Sequence, residues 1–196
     1  MSGKNVTELV AADAQGIARA AKVLSEGGLV AVPTETVYGL AARADRSEAV
    51  AKIYAAKGRP DFNPLIVHVR GVEQAKELAQ FPQAAQHLAE REWPGPLTLV
   101  LPRLIDAEIA PAVTAGLPSV AIRSPRHPVM QALLQAVHFP LAAPSANRSG
   151  FISPTSPAHV LTSLDGRIDL VLDGGSSDAG VESTIVAWRG DGRREE

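Results

Sequence analysis

Residues 47–69, SEAVAKIYAAKGRPDFNPLIVHV, place a helical pattern, a polar loop and an apolar run in immediate succession. Val50, Ile53 and Tyr54 recur at helical spacing, and Gly58 is typical of a helix end. The closing run, LIVHV, is short and apolar, which is typical of a buried strand. A helix followed directly by a buried strand indicates a layered α/β protein.

The rest of the chain repeats this alternation. Helices are predicted over 13–26, 47–56, 71–80, 83–92, 126–138 and 156–164. Strands are predicted over 29–33, 65–69, 97–101, 119–123, 140–143, 168–172 and 183–188. This pattern predicts an α/β fold (α+β in some schemes) whose sheet is covered on both faces. Because the 196 residues contain no repeat and no linker pattern, we expect a single domain over 1–196.

The composition excludes several kinds of site and location. The chain contains no cysteine, which excludes disulfides, thiolate catalysis and cysteine-bound metals. No apolar run reaches membrane-spanning length and the first 15 residues do not resemble a secretory signal, so we expect a cytoplasmic protein without a membrane partner. The formal net charge of -2 argues against a strongly basic nucleic-acid binder, although weak RNA binding stays open.

Polar residues cluster where several predicted strands end. The sequence TET follows 29–33, Arg123 closes 119–123, and PSANRSG and DGGSSDAGVEST follow two later strands. Ligands of helix-covered sheets bind at strand ends, although Ser, Asn, Gly and Pro are also ordinary turn residues. Several such clusters in one chain favour a common binding site.

The side chains in these clusters suit a polyanionic small molecule such as a nucleotide. The sequence has no P-loop, no dinucleotide fingerprint, no nucleophile elbow and no zinc-binding histidine motif. A binding site without an enzyme nucleophile is therefore predicted. Its candidate cations and neutral donors are Lys57, Arg59, Arg123, Arg148, Ser145, Asn147 and Ser183.

His68 lies in the strand that follows the cationic loop. Strand alternation places it with Ile66 and Arg70 on the face opposite Val67. A lone strand histidine is commonly a structural residue with a satisfied hydrogen bond. Its position directly after the loop also fits a ligand contact, and both interpretations stay open.

Six motifs occur in the order found in the YrdC-like family, and the match extends from about residue 14 to residue 188. They are PTETVYGLAA, KGRPDFNPLIVHV, WPGPLTLVLP, SVAIRSPRHP, LAAPSANRSG and VESTIV. The sequence therefore resembles the threonylcarbamoyl-AMP synthases (TsaC type) of this family. The resemblance implies a twisted mixed β-sheet flanked by helices, with a concave basic cavity.

The resemblance also implies a nucleotidyltransferase that converts L-threonine, bicarbonate and ATP into L-threonylcarbamoyladenylate and pyrophosphate. The product would serve threonylcarbamoyl modification of tRNA adenosine 37, through tRNA-modification proteins that receive the adenylate. Mg²⁺ is implied together with ATP, held largely by the phosphates and not by a dedicated metal site of the protein. A reaction in which the carbamate of threonine attacks ATP needs no enzyme nucleophile, which agrees with the motifs that are missing.

The roles of family residues carry over to matching positions of this sequence. The resemblance implies ATP contacts at Lys57, Arg59, Asn63, Ser119, Ser145 and Ser153, with Lys57 and Arg59 as phosphate stabilisers. It implies L-threonine contacts at Thr36, His68, Arg123, Ala143 and Ser183. Among these, Arg123 is well suited to the carboxylate of threonine.

Two features depart from the family pattern. Many relatives follow the last strand with an Arg-Pro-Gly segment whose arginine reaches the nucleotide, whereas this sequence reads AWRGDGRREE. Long members carry a linker and a second C-terminal domain, which we expect this chain to lack, either as a natural short form or as a chain cut after Glu196.

Two alternative functions stay open. One is a carbamoyl-adenylate-forming relative, although the hydrogenase-maturation proteins of that kind carry zinc-binding cysteines and this chain has none. The other is a non-catalytic RNA-binding protein, against which the net charge of -2 argues.

Overall fold

The computed structural model describes residues 6–58, 63–178, 180, 182–188 and the backbone of 194–195. Within these residues the chain forms six α-helices and ten strands. The helices are α1 (Ala14–Ser25), α2 (Ser47–Lys57), α3 (Val72–Lys76), α4 (Gln83–Glu92), α5 (Pro128–Val137) and α6 (Pro157–Leu164). The strands are β1 (Glu8–Ala11), β2 (Val30–Pro33), β3 (Tyr38–Arg43), β4 (Ile66–His68), β5 (Leu97–Pro102), β6 (Ser119–Arg123), β7 (Leu141–Ala142), β8 (Leu170–Asp173), β9 (Thr184–Trp188) and β10 (Arg194–Glu195).

The ten strands belong to one mixed sheet. Their order is β1-β8-β2-β3-β7-β4-β6-β5-β9-β10. Strand β8 runs parallel to β1 and β2, β4 runs parallel to β6, and β5 runs parallel to β9. The other neighbours are antiparallel. The predicted α/β class and the mixed sheet are therefore confirmed.

Alternate strand residues pack on opposite faces of the sheet. Val30, Val32 and Leu170 belong to a buried cluster with α1 and α5, whereas Ala31 and Val171 belong to a cluster on the other face. Helices α2, α3, α4 and α6 complete the second cluster. Helices thus lie on both faces, as the alternation of strands and helices predicted.

One strip of the sheet is less well covered than the rest. Ile66, Ala121, Val100 and Ala187 lie in register on β4, β6, β5 and β9, and each is only half-buried. The next residue on each strand packs into the cluster with α2 and α4 on the opposite face. We call this side of the four strands the open face. It carries the four half-buried residues and the other side chains that point away from the cluster.

One predicted helix is wrong over half of its length. The pattern at 71–80 forms only the five residues of α3. Beyond α3 the backbone N–H of Gln80 donates to Pro102 at 2.8 Å, and that of Leu104 donates to Leu78 at 3.0 Å. The segment therefore pairs with the chain that leaves β5, and this tertiary pairing outweighs its helical periodicity. The other predicted elements lie within two residues of their predicted bounds.

Three strands were not predicted: β1, β3 and the two-residue β10. The sequence of β3, YGLAAR, has few residues with strong β propensity. It is a strand because β2 and β7 supply hydrogen-bonding partners on its two sides. Strand β1 lies at the edge of the sheet and is mostly exposed, so it lacks the apolar run that marks the central strands.

Among the helices in the described part of the chain, none is both long and apolar enough to cross a membrane.

Candidate active site

A cavity of about 50 Å³ lies where β4 and β6 end on the open face. Its walls come from the loop between β2 and β3, the ends of β4 and β6, the segment after β7 and the segment before β9. The lining residues are Thr34, Thr36, Val37, Gly39, Ile66, His68, Arg123, Ala143, Pro144, Ser145, Glu182 and Ser183. All five residues predicted to contact L-threonine are among them, together with one predicted ATP contact, Ser145.

Strand register brings the buried polar side chains together. His68 of β4 pairs with Arg123 of β6, which pairs with Thr98 of β5. Adjacent strands lie about 4.8 Å apart, so these three side chains stand abreast on the same face of the sheet. Their exposed fractions are 3%, 4% and 0%. These three polar side chains therefore form a buried row across β4, β6 and β5, at the edge of the sheet where the cavity lies.

Arg123 is held by three protein groups. Its Nε donates to the carbonyl of Gly95 at 3.1 Å, its Nη1 donates to Thr36 Oγ1 at 3.0 Å, and its Nη2 pairs with the Glu35 carboxylate. Burial lowers the pKa of Arg123 to about 10, an effect that the nearby Glu182 carboxylate opposes, so the guanidinium is charged at neutral pH. Three of its five N–H groups are used in these contacts, and a ligand anion can bind the remainder.

The hydroxyl groups beside Arg123 form a chain with a fixed direction. The Thr34 hydroxyl is 2.7 Å from the carbonyl of Val37, which only accepts, so Thr34 donates there. The 2.9 Å contact between the two hydroxyls must then be donated by Thr36. Because Thr36 Oγ1 gives its hydrogen to Thr34 and accepts from Arg123, it can offer only an acceptor lone pair to the cavity.

His68 also presents an acceptor. Its Nδ1 is 3.2 Å from the carbonyl of Ile66, so Nδ1 carries the hydrogen and donates it. Burial lowers the pKa of His68 to about 4, which keeps the ring neutral at neutral pH and leaves Nε2 as an acceptor. His68 thus has the satisfied backbone hydrogen bond of a structural residue and also lines the cavity, where its contact with threonine stays a prediction.

The segment before β9 forms one side of the cavity. Ser183 Oγ lies 2.7 Å from Thr98 Oγ1, and Ser153 Oγ donates to Glu182 Oε1 at 2.8 Å. The backbone N–H of Gly180 donates to the carbonyl of Thr36 at 3.0 Å. The described part of this glycine-rich segment thus packs against the loop between β2 and β3.

Lys57 lies just beyond the helix predicted over 47–56, but in the structure it is the last residue of α2. It is buried, and its Nζ donates to the carbonyls of Ser145 and Asn147, both at 2.7 Å. Lys57 therefore fixes the loop that follows β7. Arg59 lies outside the described residues, and Asn63 is exposed. The ATP contacts predicted for these three residues, and the phosphate-stabilising role of Lys57 and Arg59, stay predictions.

Two other predicted ATP contacts lie at different distances from the cavity. Ser153 contacts Glu182, which lines the cavity. Ser119 is half-buried and lies four residues before Arg123 on β6, which corresponds to about 13 Å along a strand. The structure does not bring Ser119 into the cavity, but alternation places it on the open face.

Sequence reasoning missed four residues of this region: Thr34, Glu35, Thr98 and Glu182. Glu35 gave the clearest signal, because it is a carboxylate between two threonines directly after an apolar strand. It is 5% exposed and pairs with Arg123. Thr98 resembles an ordinary strand residue, and only the register with β6 shows that it neighbours Arg123.

The family was tested by comparison with known proteins. The Sua5_yciO_yrdC family model, described as "Telomere recombination", matches residues 22–194. The chain belongs to this family. It is 50% identical to the threonylcarbamoyl-AMP synthase of Bacillus subtilis over 188 residues, which are 95% of this chain and 54% of that protein. It is 51% identical to the enzyme of the same name from Pyrococcus abyssi over 169 residues, which are 85% of this chain and 49% of that protein.

A solved structure of a relative also resembles the chain. The crystal structure of P. abyssi Sua5 complexed with L-threonine aligns with a TM-score of 0.86 and 46% identity over 93% of this chain and 53% of that chain. The fold expected from the family is therefore confirmed. The chain spans about half the length of the curated relatives it matches.

Proposed function

We propose that this chain carries the catalytic site of a threonylcarbamoyl-AMP synthase. The reaction joins L-threonine, bicarbonate and ATP to give L-threonylcarbamoyladenylate, pyrophosphate and water. The observation that carries the proposal is the cavity, which gathers all five residues that match the family's threonine contacts. A relative that is 46% identical was solved with L-threonine bound, which supports the same ligand here.

The polarity of the cavity suits an amino acid zwitterion. Arg123 offers N–H groups and a positive charge to a carboxylate. Thr36 Oγ1 and His68 Nε2 offer acceptors to an amino or hydroxyl group. A donor on one side and acceptors on the other would orient threonine with its amine at a defined position. There the amine can condense with bicarbonate to form a carbamate, with loss of one water molecule.

The open face is the surface that we assign to ATP. Ser145 and Ser153 lie at the cavity, and Ser119 lies further along the same face. A nucleotide along this strip would bring its α-phosphate towards the carbamate of threonine. The protein would then act by positioning the two substrates and by stabilising charge, with Lys57 holding the loop of Ser145 in place.

Mg²⁺ belongs to the proposal as a companion of ATP. The described part of the chain contains no group of three or more Asp, Glu or His side chains that could hold a metal ion. We propose that the ion enters with the ATP phosphates, since Mg²⁺ commonly keeps several waters and binds phosphate oxygens.

The biological setting is part of the proposal. Threonylcarbamoyladenylate would pass to proteins that modify adenosine 37 of tRNA. Because ATP, bicarbonate and tRNA meet in the cytoplasm, we place the activity there.

The proposal is tested by pyrophosphate release from ATP. Release should require both L-threonine and bicarbonate, and mass spectrometry should detect threonylcarbamoyladenylate. Release that is indifferent to threonine would contradict the assignment. Release that depends on carbamoyl phosphate would favour the carbamoyl-adenylate alternative, and tight tRNA binding with a steep salt dependence but no turnover would favour the RNA-binding one.

A further inference from the structure

Glu35 is a buried carboxylate behind the cavity wall. One oxygen pairs with Arg123. The other accepts the backbone N–H groups of Arg126 at 2.7 Å and His127 at 3.0 Å, directly before α5. Glu35 is 5% exposed and is not a lining residue of the cavity, so it acts on a ligand through its neighbours.

We propose that Glu35 is the positioning residue that aims Arg123 at the carboxylate of the amino acid substrate. The inference rests on the proposed function above. Arginine has several rotatable bonds, and a buried partner that fixes one edge of the guanidinium determines where its other N–H groups point. With Gly95 holding Nε and Glu35 holding Nη2, the remaining N–H groups of Arg123 have defined directions.

The charge of Glu35 is dispersed away from the cavity. A carboxylate bound to Arg123 alone would cancel much of its attraction for a second carboxylate. Here the second oxygen of Glu35 receives two backbone N–H groups at the start of a ten-residue helix, where negative charge is favourable. Arg123 can therefore pair with Glu35 and still attract a ligand anion.

The hydroxyl chain keeps its direction without Glu35. The carbonyl of Val37 accepts from Thr34, which accepts from Thr36, so Thr36 Oγ1 stays an acceptor whether or not Arg123 donates to it. The accepting side of the cavity should therefore survive changes at Glu35, and the loss should fall on the carboxylate of the ligand.

The test compares L-threonine with L-threoninamide, which lacks the carboxylate, by calorimetric titration of the full chain. The wild type should bind threonine more tightly than threoninamide.

In Glu35→Gln, the amide N–H group would face the N–H groups of Arg126 and His127, or that of Arg123. We expect a loss of threonine affinity of about tenfold or more, with threoninamide affinity changed by less than about threefold. Glu35→Asp keeps the charge but is one methylene shorter, and we expect a smaller loss with the same selectivity.

Asp45→Asn is the matched control, because Asp45 forms a bidentate pair with Arg43 outside the cavity at 2.7 and 2.8 Å. It should leave both affinities unchanged. Thermal melting reports whether each variant folds. If Glu35→Gln does not fold, the affinities for threonine and threoninamide are compared in Glu35→Asp. Equal losses for threonine and threoninamide, or no loss for threonine, would overturn the inference. A wild type that binds no threonine would instead refute the proposed function, together with the inference that rests on it.

Discussion

The two sides of the proposed site differ in how firmly the protein holds them. On the amino acid side, Thr36, His68 and Arg123 are between 1% and 4% exposed, and each is hydrogen-bonded to other protein groups. On the nucleotide side, Lys57 is buried and donates to two carbonyls, but Ser119, Ser145 and Ser153 are half-buried and Asn63 is exposed. Buried groups with fixed partners are organised before a ligand arrives, whereas exposed side chains lose freedom when it binds. The contrast suggests that selectivity resides mainly on the amino acid side.

Removing Arg123 should have the largest effect on this contrast. In Arg123→Ala, the carboxylate of Glu35 loses its partner while buried, which costs about 3–5 kcal/mol of unfolding free energy. Threonine affinity should fall by about a hundredfold or more, because the charged donor is lost. Urea denaturation and calorimetry measure the two effects.

Arg103→Ala is the matched control for Arg123→Ala. Arg103 is a half-buried arginine that donates to the carbonyls of Ala107 and Ile109, away from the cavity. Its removal should reduce stability without changing threonine affinity. Threonine binding that survives in Arg123→Ala would show that the amino acid side is not organised around this residue.

The second prediction concerns the dependence of stability on pH. His68 has its pKa lowered to about 4 in the folded protein, below the ordinary value near 6.5 in the unfolded chain. Between these values the unfolded state binds more protons, so stability falls as the pH is lowered from about 6.5 to about 4, by about 3 kcal/mol. His127, whose pKa burial also lowers, adds to the same slope.

Urea denaturation at several pH values measures this slope. In His68→Gln, the unfolding free energy should fall less steeply between pH about 6.5 and about 4, whatever the stability of the variant at pH 7. In His127→Gln most of the slope should remain. An unchanged slope in His68→Gln would mean that the ring is not held neutral in the folded protein.

The sequence could predict some of the residues on the two sides of the site but not others. The five residues predicted to contact threonine came from motif resemblance, and they line one cavity because the strand ends that carry them converge on one edge. Thr98 could not be identified, because its role depends on the pairing of β5 with β6, and one sequence does not give strand order. The burial and the hydrogen bonds of Lys57 could not be predicted either, since its partners come from a loop 88 and 90 residues away in the chain.

The third prediction follows from that correction. The resemblance implies ATP contacts at Lys57 and Arg59, and the helix predicted over 47–56 leaves both residues in the loop that follows it. Because the ammonium of Lys57 is buried on two carbonyls, Lys57→Ala should also lower the unfolding free energy by about 1–3 kcal/mol and weaken ATP binding through the displaced Ser145 loop. For Arg59→Ala the expectation stays a loss of ATP affinity at unchanged stability.

Lys52→Ala is the control on the same helix. Lys52 is exposed and donates to a single carbonyl, that of Gly27, at 3.0 Å. Its removal should change stability by less than about 0.5 kcal/mol and leave ATP binding intact. If Lys57→Ala were as stable as Lys52→Ala, the loop after β7 would not depend on the ammonium.

The smallest effect is expected at the boundary between the two sides. Ser153 was predicted to contact ATP, but it donates to Glu182, which lines the amino acid cavity. Because this contact is exposed, Ser153→Ala should change stability by less than about 0.5 kcal/mol, as should the control Thr162→Ala on α6.

The ligand whose affinity changes then shows where Ser153 belongs. A several-fold loss for ATP at unchanged threonine affinity would assign it to the nucleotide side. A change for threonine alone would mean that Ser153 serves the cavity by holding Glu182, and the predicted ATP contact would be wrong.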